Sequence, residues 1–107
     1  MTTYDERERA FEAAFAHDEE LRFKAHARRD RKLGLWAAGL MGRSGEAAEA
    51  YANDVVAAGI MMAGDEALAT KLEADFSAAA VAQTAEQIHA ALDRLLAEAL
   101  AEMKAGA

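Results

Sequence analysis

The chain has 107 residues, a formal net charge of −7, and neither cysteine nor proline. Of its 57 hydrophobic residues 30 are alanine, which leaves 27 larger apolar side chains for a core, and only nine residues are β-branched. This composition excludes a disulfide framework and a thiolate metal site, disfavours a sheet protein, and favours an all-α domain, because alanine, leucine, glutamate and arginine lose little side-chain freedom in a helix.

Three further protein classes are disfavoured. The apolar runs are shorter than the roughly 20 residues that a membrane span needs, and the charged run from Tyr4 to Arg9 is unlike the apolar stretch of a signal peptide. An acidic chain is a poor general binder of nucleic acid. We therefore expect a soluble intracellular protein that is a monomer when free, with no membrane insertion and no nucleic-acid partner.

The N-terminal segment carries an aromatic stripe. Tyr4, Phe11 and Phe15 recur at spacings of seven and four, which predicts an amphipathic helix over about residues 4–17. An isolated helix of this length is marginal in water, so we expect it to be partly disordered alone and to order on a partner. The alternative is that Phe11 and Phe15 complete the core of the domain, and the pattern alone leaves both interpretations open.

A second stripe follows in a different helical phase. Leu33, Trp36, Ala37 and Leu40 predict the buried face of the next helix. Extended backwards, this face meets side chains that are poorly suited to a core, namely Arg29, His26 and Arg22. The change of phase predicts two units, an N-terminal segment of residues 1–19 and a small four-helix bundle of residues 20–107.

The second predicted helix of the bundle follows a glycine-rich turn. Gly42 to Gly45 predicts this turn, and Gly34 and Gly39 before it predict close backbone packing inside the preceding helix. Ser44 is then the expected N-cap. The buried stripe of the second helix is expected to comprise Ala48, Tyr51, Val55 and Met62.

Two more helices complete the bundle. Gly64, Asp65 and Glu66 predict a helix end, an N-cap and an acidic first turn. The buried face of that third helix is predicted at Leu68, Leu72 and Phe76. Thr84 and Gln87 form a capping box for the fourth helix, whose apolar positions run Ile88, Ala91, Leu92, Leu95, Leu96, Ala99 and Met103.

Charge is unevenly distributed along the chain. Residues 1–32 hold eight basic and eight acidic residues, so the whole net charge lies on residues 33–107. Six basic residues fall within 11 positions: Arg22, Lys24, Arg28, Arg29, Arg31 and Lys32. A solvated helix face is the simplest interpretation of this cluster. An electrostatic docking surface and a phosphate site are the alternatives.

The sequence shows no catalytic pattern. His17, His26 and His89 lack the spacing of zinc ligands. The run Gly42-Arg43-Ser44-Gly45 lacks the ending of a phosphate-binding loop, and neither Ser44 nor Ser77 lies in a nucleophile elbow. We do not expect an enzyme, a metal site or a required cofactor.

The segment from Phe11 to Ala38 resembles the zeta subunit of the alphaproteobacterial F-type ATP synthase. The resemblance rests on four motifs in order: Arg9-Ala10-Phe11-Glu12, Phe23-Lys24-Ala25, Ala27-Arg28-Arg29 and Leu33-Gly34-Leu35-Trp36-Ala37-Ala38. It implies a four-helix bundle whose N-terminal segment inhibits ATP hydrolysis by wedging between subunits of the catalytic head. It further implies a cytoplasmic protein, peripheral to the membrane-bound ATP synthase.

The resemblance also implies binding residues. Those of the inhibitory segment would be Tyr4, Arg7, Arg9, Phe11, Glu12 and Phe15. An adenine nucleotide, ATP or ADP, is implied as an additional regulatory ligand of the bundle. If the basic cluster is a phosphate site, Arg28 or Arg29 would lie at its phosphates and Trp36 near its base. This chain departs from the family pattern at Gly59-Ile60-Met61-Met62-Ala63, which predicts exposed apolar residues where the second and third helices join.

A different function class stays open on the sequence alone. Residues 4–32 are amphipathic and partly basic, which also suits an adaptor that binds a membrane surface or a partner helix.

Overall fold

The computed structural model describes residues 19–62 and 64–106. Within them the chain forms four α-helices: α1 Glu19–Leu40, α2 Gly45–Met61, α3 Asp65–Ala78 and α4 Ala85–Lys104. The described residues contain no strand, so the predicted all-α class and the four helices are confirmed. The aromatic stripe at Tyr4, Phe11 and Phe15 lies outside the described residues.

The helices form a ring in which each packs on its neighbours in the chain. α1 packs mainly on α2 and on α4, and α3 completes the ring through contacts with α4 and α2. The large side chains that fill the centre are Leu33, Val55, Leu68, Leu72, Phe76, Ile88, Leu92 and Leu96. A smaller cluster of Ala25, Leu96 and Leu100 joins α1 to α4. All three members of the predicted α3 stripe are therefore core residues.

α4 follows its sequence pattern closely. The Thr84 hydroxyl accepts a hydrogen bond from the Gln87 amide at 3.1 Å, and the Gln87 side chain accepts one from the Thr84 amide at 2.8 Å. This confirms the capping box. The predicted apolar positions of α4 from Ile88 to Ala99 are buried, and Met103 is half-buried at the edge of the smaller cluster.

The two glycines of α1 differ in their surroundings. A Cβ on Gly34 would lie 2.6 Å from the Ala52 Cα, so α1 and α2 approach closely there because Gly34 has no side chain. The prediction of close packing is correct for Gly34 and wrong for Gly39, where a Cβ would meet nothing within 4 Å. Ser44 is the N-cap of α2 but its side chain makes no capping hydrogen bond.

Three predictions for buried positions are corrected. Leu40 is 42% exposed and Met62 is also exposed, because each lies where its helix ends and leaves the core. Arg29, which looked unsuited to a core, is buried with only 3% of its surface exposed. The buried stripe of α1 therefore continues backwards from Ala37 and Leu33 through Arg29 to Ala25.

The start of α3 is shifted by one residue from its prediction. Gly64 is the N-cap and Asp65 is the first helical residue. The carboxylate of Asp65 makes two hydrogen bonds with the guanidinium of Arg29. Partnership with α1 thus explains the acidic residue at this position.

The close approach at Gly34 predicts opposite effects for two matched substitutions. Gly34→Ala should lower the free energy of unfolding by about 1–3 kcal/mol, because the new methyl group meets the α2 backbone. Gly39→Ala should raise it by about 0.5–1 kcal/mol, because that position is helical and open. Urea denaturation followed by circular dichroism measures both, and equal effects would contradict the close packing.

Candidate functional site

The sequence-predicted residues fall into two sets. Those of the inhibitory segment lie outside the described residues, so their role stays a prediction: Tyr4, Arg7, Arg9, Phe11, Glu12 and Phe15. Those of the nucleotide site, Arg28, Arg29 and Trp36, lie on α1. The described structure shows what surrounds this second set, and what lies beside the point where the first set joins α1.

Arg29 is held by two carboxylates inside the bundle. Its NH1 and NH2 groups donate to the two oxygens of Asp65 at 3.1 and 3.0 Å, and its Nε donates to Asp30 at 2.9 Å. Such forked pairing is the strongest geometry available to a guanidinium. The arginine therefore ties the middle of α1 to the first residue of α3.

Burial and the neighbouring charges both shift the pKa values of Asp30 and Arg29. Loss of solvent raises the pKa of Asp30 above its ordinary value of 3.8, although Arg29 opposes this. Burial would lower the pKa of Arg29, but the charges of Asp30 and Asp65 outweigh it and raise that pKa. A Cβ on Gly59 would clash with the Asp30 carboxylate, so glycine in α2 makes the space in which this carboxylate lies.

Three other basic residues of α1 pair with acidic residues of neighbouring helices. Arg28 lies 3.1 Å from Glu102 of α4, and Lys32 contacts the same carboxylate. Arg31 lies 2.6 Å from Glu49 of α2. These groups are partly exposed, so each pair contributes little stability alone. Together they show that much of the basic cluster faces acidic partners within the chain.

Among the described residues, the three candidate nucleotide residues lie in different surroundings. Trp36 is half-buried and packs edge-on against Phe76, with ring centroids 5.7 Å apart. Arg28 lines a groove beside Met103 of α4, whereas Arg29 lines a separate cavity at the start of α3. A nucleotide site built from all three residues stays a prediction.

A second polar cluster lies between α2 and α3, beside Arg43 of the α1–α2 turn, and the sequence reasoning missed it. The Tyr51 hydroxyl donates to Asp75 at 2.7 Å, and Lys71 lies 2.9 Å from both Asp75 and Asp54. Arg43 lies 5.0 Å from the centre of the Tyr51 ring. Burial and the hydrogen bond to Asp75 raise the pKa of Tyr51. The spacing of Lys71 and Asp75, four apart on one helix, was the only local signal of this cluster.

An apolar patch is exposed where α2 ends and α1 begins. It comprises Phe23, Ile60, Met61 and Met62, of which Phe23 is 56%, Ile60 58% and Met61 85% exposed. Phe23 and Ile60 line a common groove of about 180 Å³. The prediction of exposed apolar residues at the join of the second and third helices is confirmed.

No helix among residues 19–62 and 64–106 is long and apolar enough to cross a membrane. The same residues contain no group of three or more histidine, cysteine or acidic side chains arranged to hold a metal ion.

The model of one protein family, described as ATPase inhibitor subunit zeta, matches residues 1–102 of the chain. A search of curated proteins found no match. The family match includes both the N-terminal segment and nearly all of the bundle.

The two neighbouring arginines of α1 are predicted to differ sharply in their effect on stability. Arg29→Ala should lower the free energy of unfolding by about 3–5 kcal/mol, because it leaves Asp30 and Asp65 without their shared cation. Arg28→Ala should cost less than about 1 kcal/mol, since its pair with Glu102 is partly exposed. Thermal and urea unfolding of both variants measure this, and comparable losses would contradict the buried network.

The raised pKa of Asp30 predicts a pH-dependent difference between two proteins. A raised folded-state pKa stabilises the fold below the unfolded value of 3.8, and this contribution is lost as the pH rises through the folded-state pKa. Asp30→Asn removes this titration. The free energy of unfolding of the variant, measured relative to wild type, should therefore increase as the pH rises from about 3.8. A flat or falling difference would exclude a raised pKa.

Proposed function

We propose that this chain, which belongs to the ATPase inhibitor subunit zeta family, inhibits ATP hydrolysis by the catalytic head of an F-type ATP synthase. The family establishes the coarse role, an ATPase inhibitor that interacts with the ATP synthase. The proposal assigns inhibition to the N-terminal segment, residues 1–19, and treats residues 20–107 as the bundle that carries it. The observation that carries the proposal is the family match across residues 1–102, which spans both units.

The proposed mechanism is steric. The segment would insert as a helix between subunits of the catalytic head, with Phe11 and Phe15 in apolar pockets and Arg7, Arg9 and Glu12 in polar contacts around them. Aromatic anchors in pockets commonly dominate the free energy of an interface. A helix held at that position would block the subunit movements of the hydrolytic cycle.

The arrangement of the bundle supports this division of roles. Arg28, Arg29, Arg31 and Lys32 have carboxylate partners on other helices of the same chain. Since these pairs use much of the basic cluster internally, less of its charge is available for an acidic partner. This favours apolar contacts of the N-terminal segment as the main source of affinity, and it weighs against an adaptor that binds anionic membranes.

An adenine nucleotide is the proposed additional ligand of the bundle. Of the two candidate arginines, Arg28 is the better phosphate contact, because it is partly exposed and lines an open groove with Lys24. Arg29 would have to leave two buried hydrogen-bonded carboxylates to reach a phosphate.

The aromatic anchors give the direct test of the proposal. Phe11→Ala combined with Phe15→Ala should raise the concentration that half-inhibits ATP hydrolysis by purified catalytic head by at least about 30-fold, since one interface hot spot contributes about 2 kcal/mol or more. Steady-state ATP hydrolysis, titrated with wild type and with the double variant, measures the effect. Deletion of residues 1–18 should abolish inhibition.

The matched control is Leu40→Ala, which removes an exposed apolar side chain from the bundle and should leave inhibition unchanged. Full inhibition by the protein that lacks residues 1–18 would place the activity in the bundle and contradict the proposal. Helix formation by a peptide of residues 1–32 on anionic vesicles, with no effect of the full chain on hydrolysis, would instead favour the membrane adaptor.

A further inference from the structure

The apolar patch of Phe23, Ile60, Met61 and Met62 lies beside the start of α1, where the N-terminal segment joins the bundle. Phe23 is four residues from the first described residue of α1, or about 6 Å along the helix. Ile60 of α2 lines the same groove as Phe23, and Met61 and Met62 follow it directly in the chain. Phe23 and Ile60 thus share a groove within short reach of residue 19, and two exposed methionines follow Ile60 in the chain.

We expect an exposed apolar cluster of this kind to be covered by a binding partner. Single exposed apolar side chains are ordinary, but contiguous ones mark a contact surface. Phe23 also lines a second groove, of about 440 Å³, with Leu21 and Met103. Two grooves meeting at one exposed aromatic ring provide space for apolar side chains of a bound helix.

We propose that, when the chain is free, its own residues 4–17 turn back and pack the stripe of Tyr4, Phe11 and Phe15 over the apolar patch. This contact would keep the segment from binding the ATP synthase. That regulatory role rests on the proposed function. Docking itself is a property of the isolated chain and stands or falls independently.

The length of the chain permits this contact. Three residues lie between Phe15 and Glu19, so even a fully extended chain places these two residues at most about 14 Å apart. Phe15 can therefore reach Phe23, and in a helix Phe11 lies one turn, about 6 Å, beyond Phe15. The stripe and the patch are matched in character, aromatic rings against Phe23, isoleucine and methionine.

A second copy of the chain is a weaker candidate for the cover. The tether gives the segment an effective concentration near the millimolar range. A stable dimer commonly buries about 800 Å² on each partner, which is more than four partly exposed side chains supply. The chain's own segment can therefore cover the patch with a weaker intrinsic affinity than a second copy would need.

A spin label can detect docking, because the chain contains no cysteine. Ala13→Cys creates a unique labelling site on the side of the segment opposite its aromatic stripe. In a protein with 13C-labelled methionine methyl groups, the spin label on the docked segment should strongly broaden the methyl signals of Met61 and Met62. Met41 should be unaffected, because it follows α1 about 27 Å beyond Phe23.

Two variants of the labelled chain complete the experiment. Ile60→Ser combined with Met61→Ser should abolish the broadening at Met62, whereas Leu40→Ser, which alters an exposed leucine at the other end of α1, should retain it. All three substituted side chains are exposed, so both variants are expected to fold. The methyl signal of Met41 reports whether they do.

The outcomes separate docking from inhibition. Broadening that is absent, or equal at Met41 and Met61, overturns docking, and broadening that grows with protein concentration assigns the patch to a second copy. If docking holds and the N-terminal segment inhibits, the Ile60→Ser/Met61→Ser variant should inhibit ATP hydrolysis at a severalfold lower concentration than wild type. Docking with no inhibition by either protein would leave the inference standing and refute the proposed function alone.

Discussion

The bundle depends on one buried cation. Arg29 lies inside the protein between Asp30 of its own helix and Asp65 at the start of α3, so the middle of α1 is fixed to a helix that begins 36 residues later. A buried ion pair does not guarantee high stability, but breaking one by removal of a single partner is costly. The network therefore limits how α1 can move, and α1 is the helix from which the N-terminal segment extends.

The uneven charge of the chain has a structural explanation in these contacts. The C-terminal 75 residues carry the net charge of −7, and they supply carboxylates to the cations of α1 from three different helices. What looked like a free basic face along residues 22–32 is in large part paired with carboxylates of the other three helices. The exposed surface beside residue 19 is apolar at Phe23 and Ile60, and it is this surface that the N-terminal segment is proposed to cover.

Local patterns predicted much of the fold, and long-range pairing did not follow from them. The Thr84 capping box and the Leu72 and Phe76 stripe were predicted correctly, because both depend on residues within one or two turns. Burial of Arg29 was not predicted, since its partner Asp65 is distant in the chain and had a plausible local role as an N-cap. Gly39 was placed wrongly because a glycine shows that close packing is permitted, whereas the facing helix decides whether it occurs. The proposed inhibitory residues rest only on the aromatic spacing and on the family resemblance.

In the proposed function, the bundle serves as a carrier and the segment before it makes the inhibitory contact. Hydrogen exchange of the full chain, free and bound to purified catalytic head, tests this division directly. We expect binding to slow the exchange of backbone amides strongly in residues 4–17, with much smaller changes in α2, α3 and α4. Protection confined to the bundle, with unchanged exchange before residue 19, would contradict it.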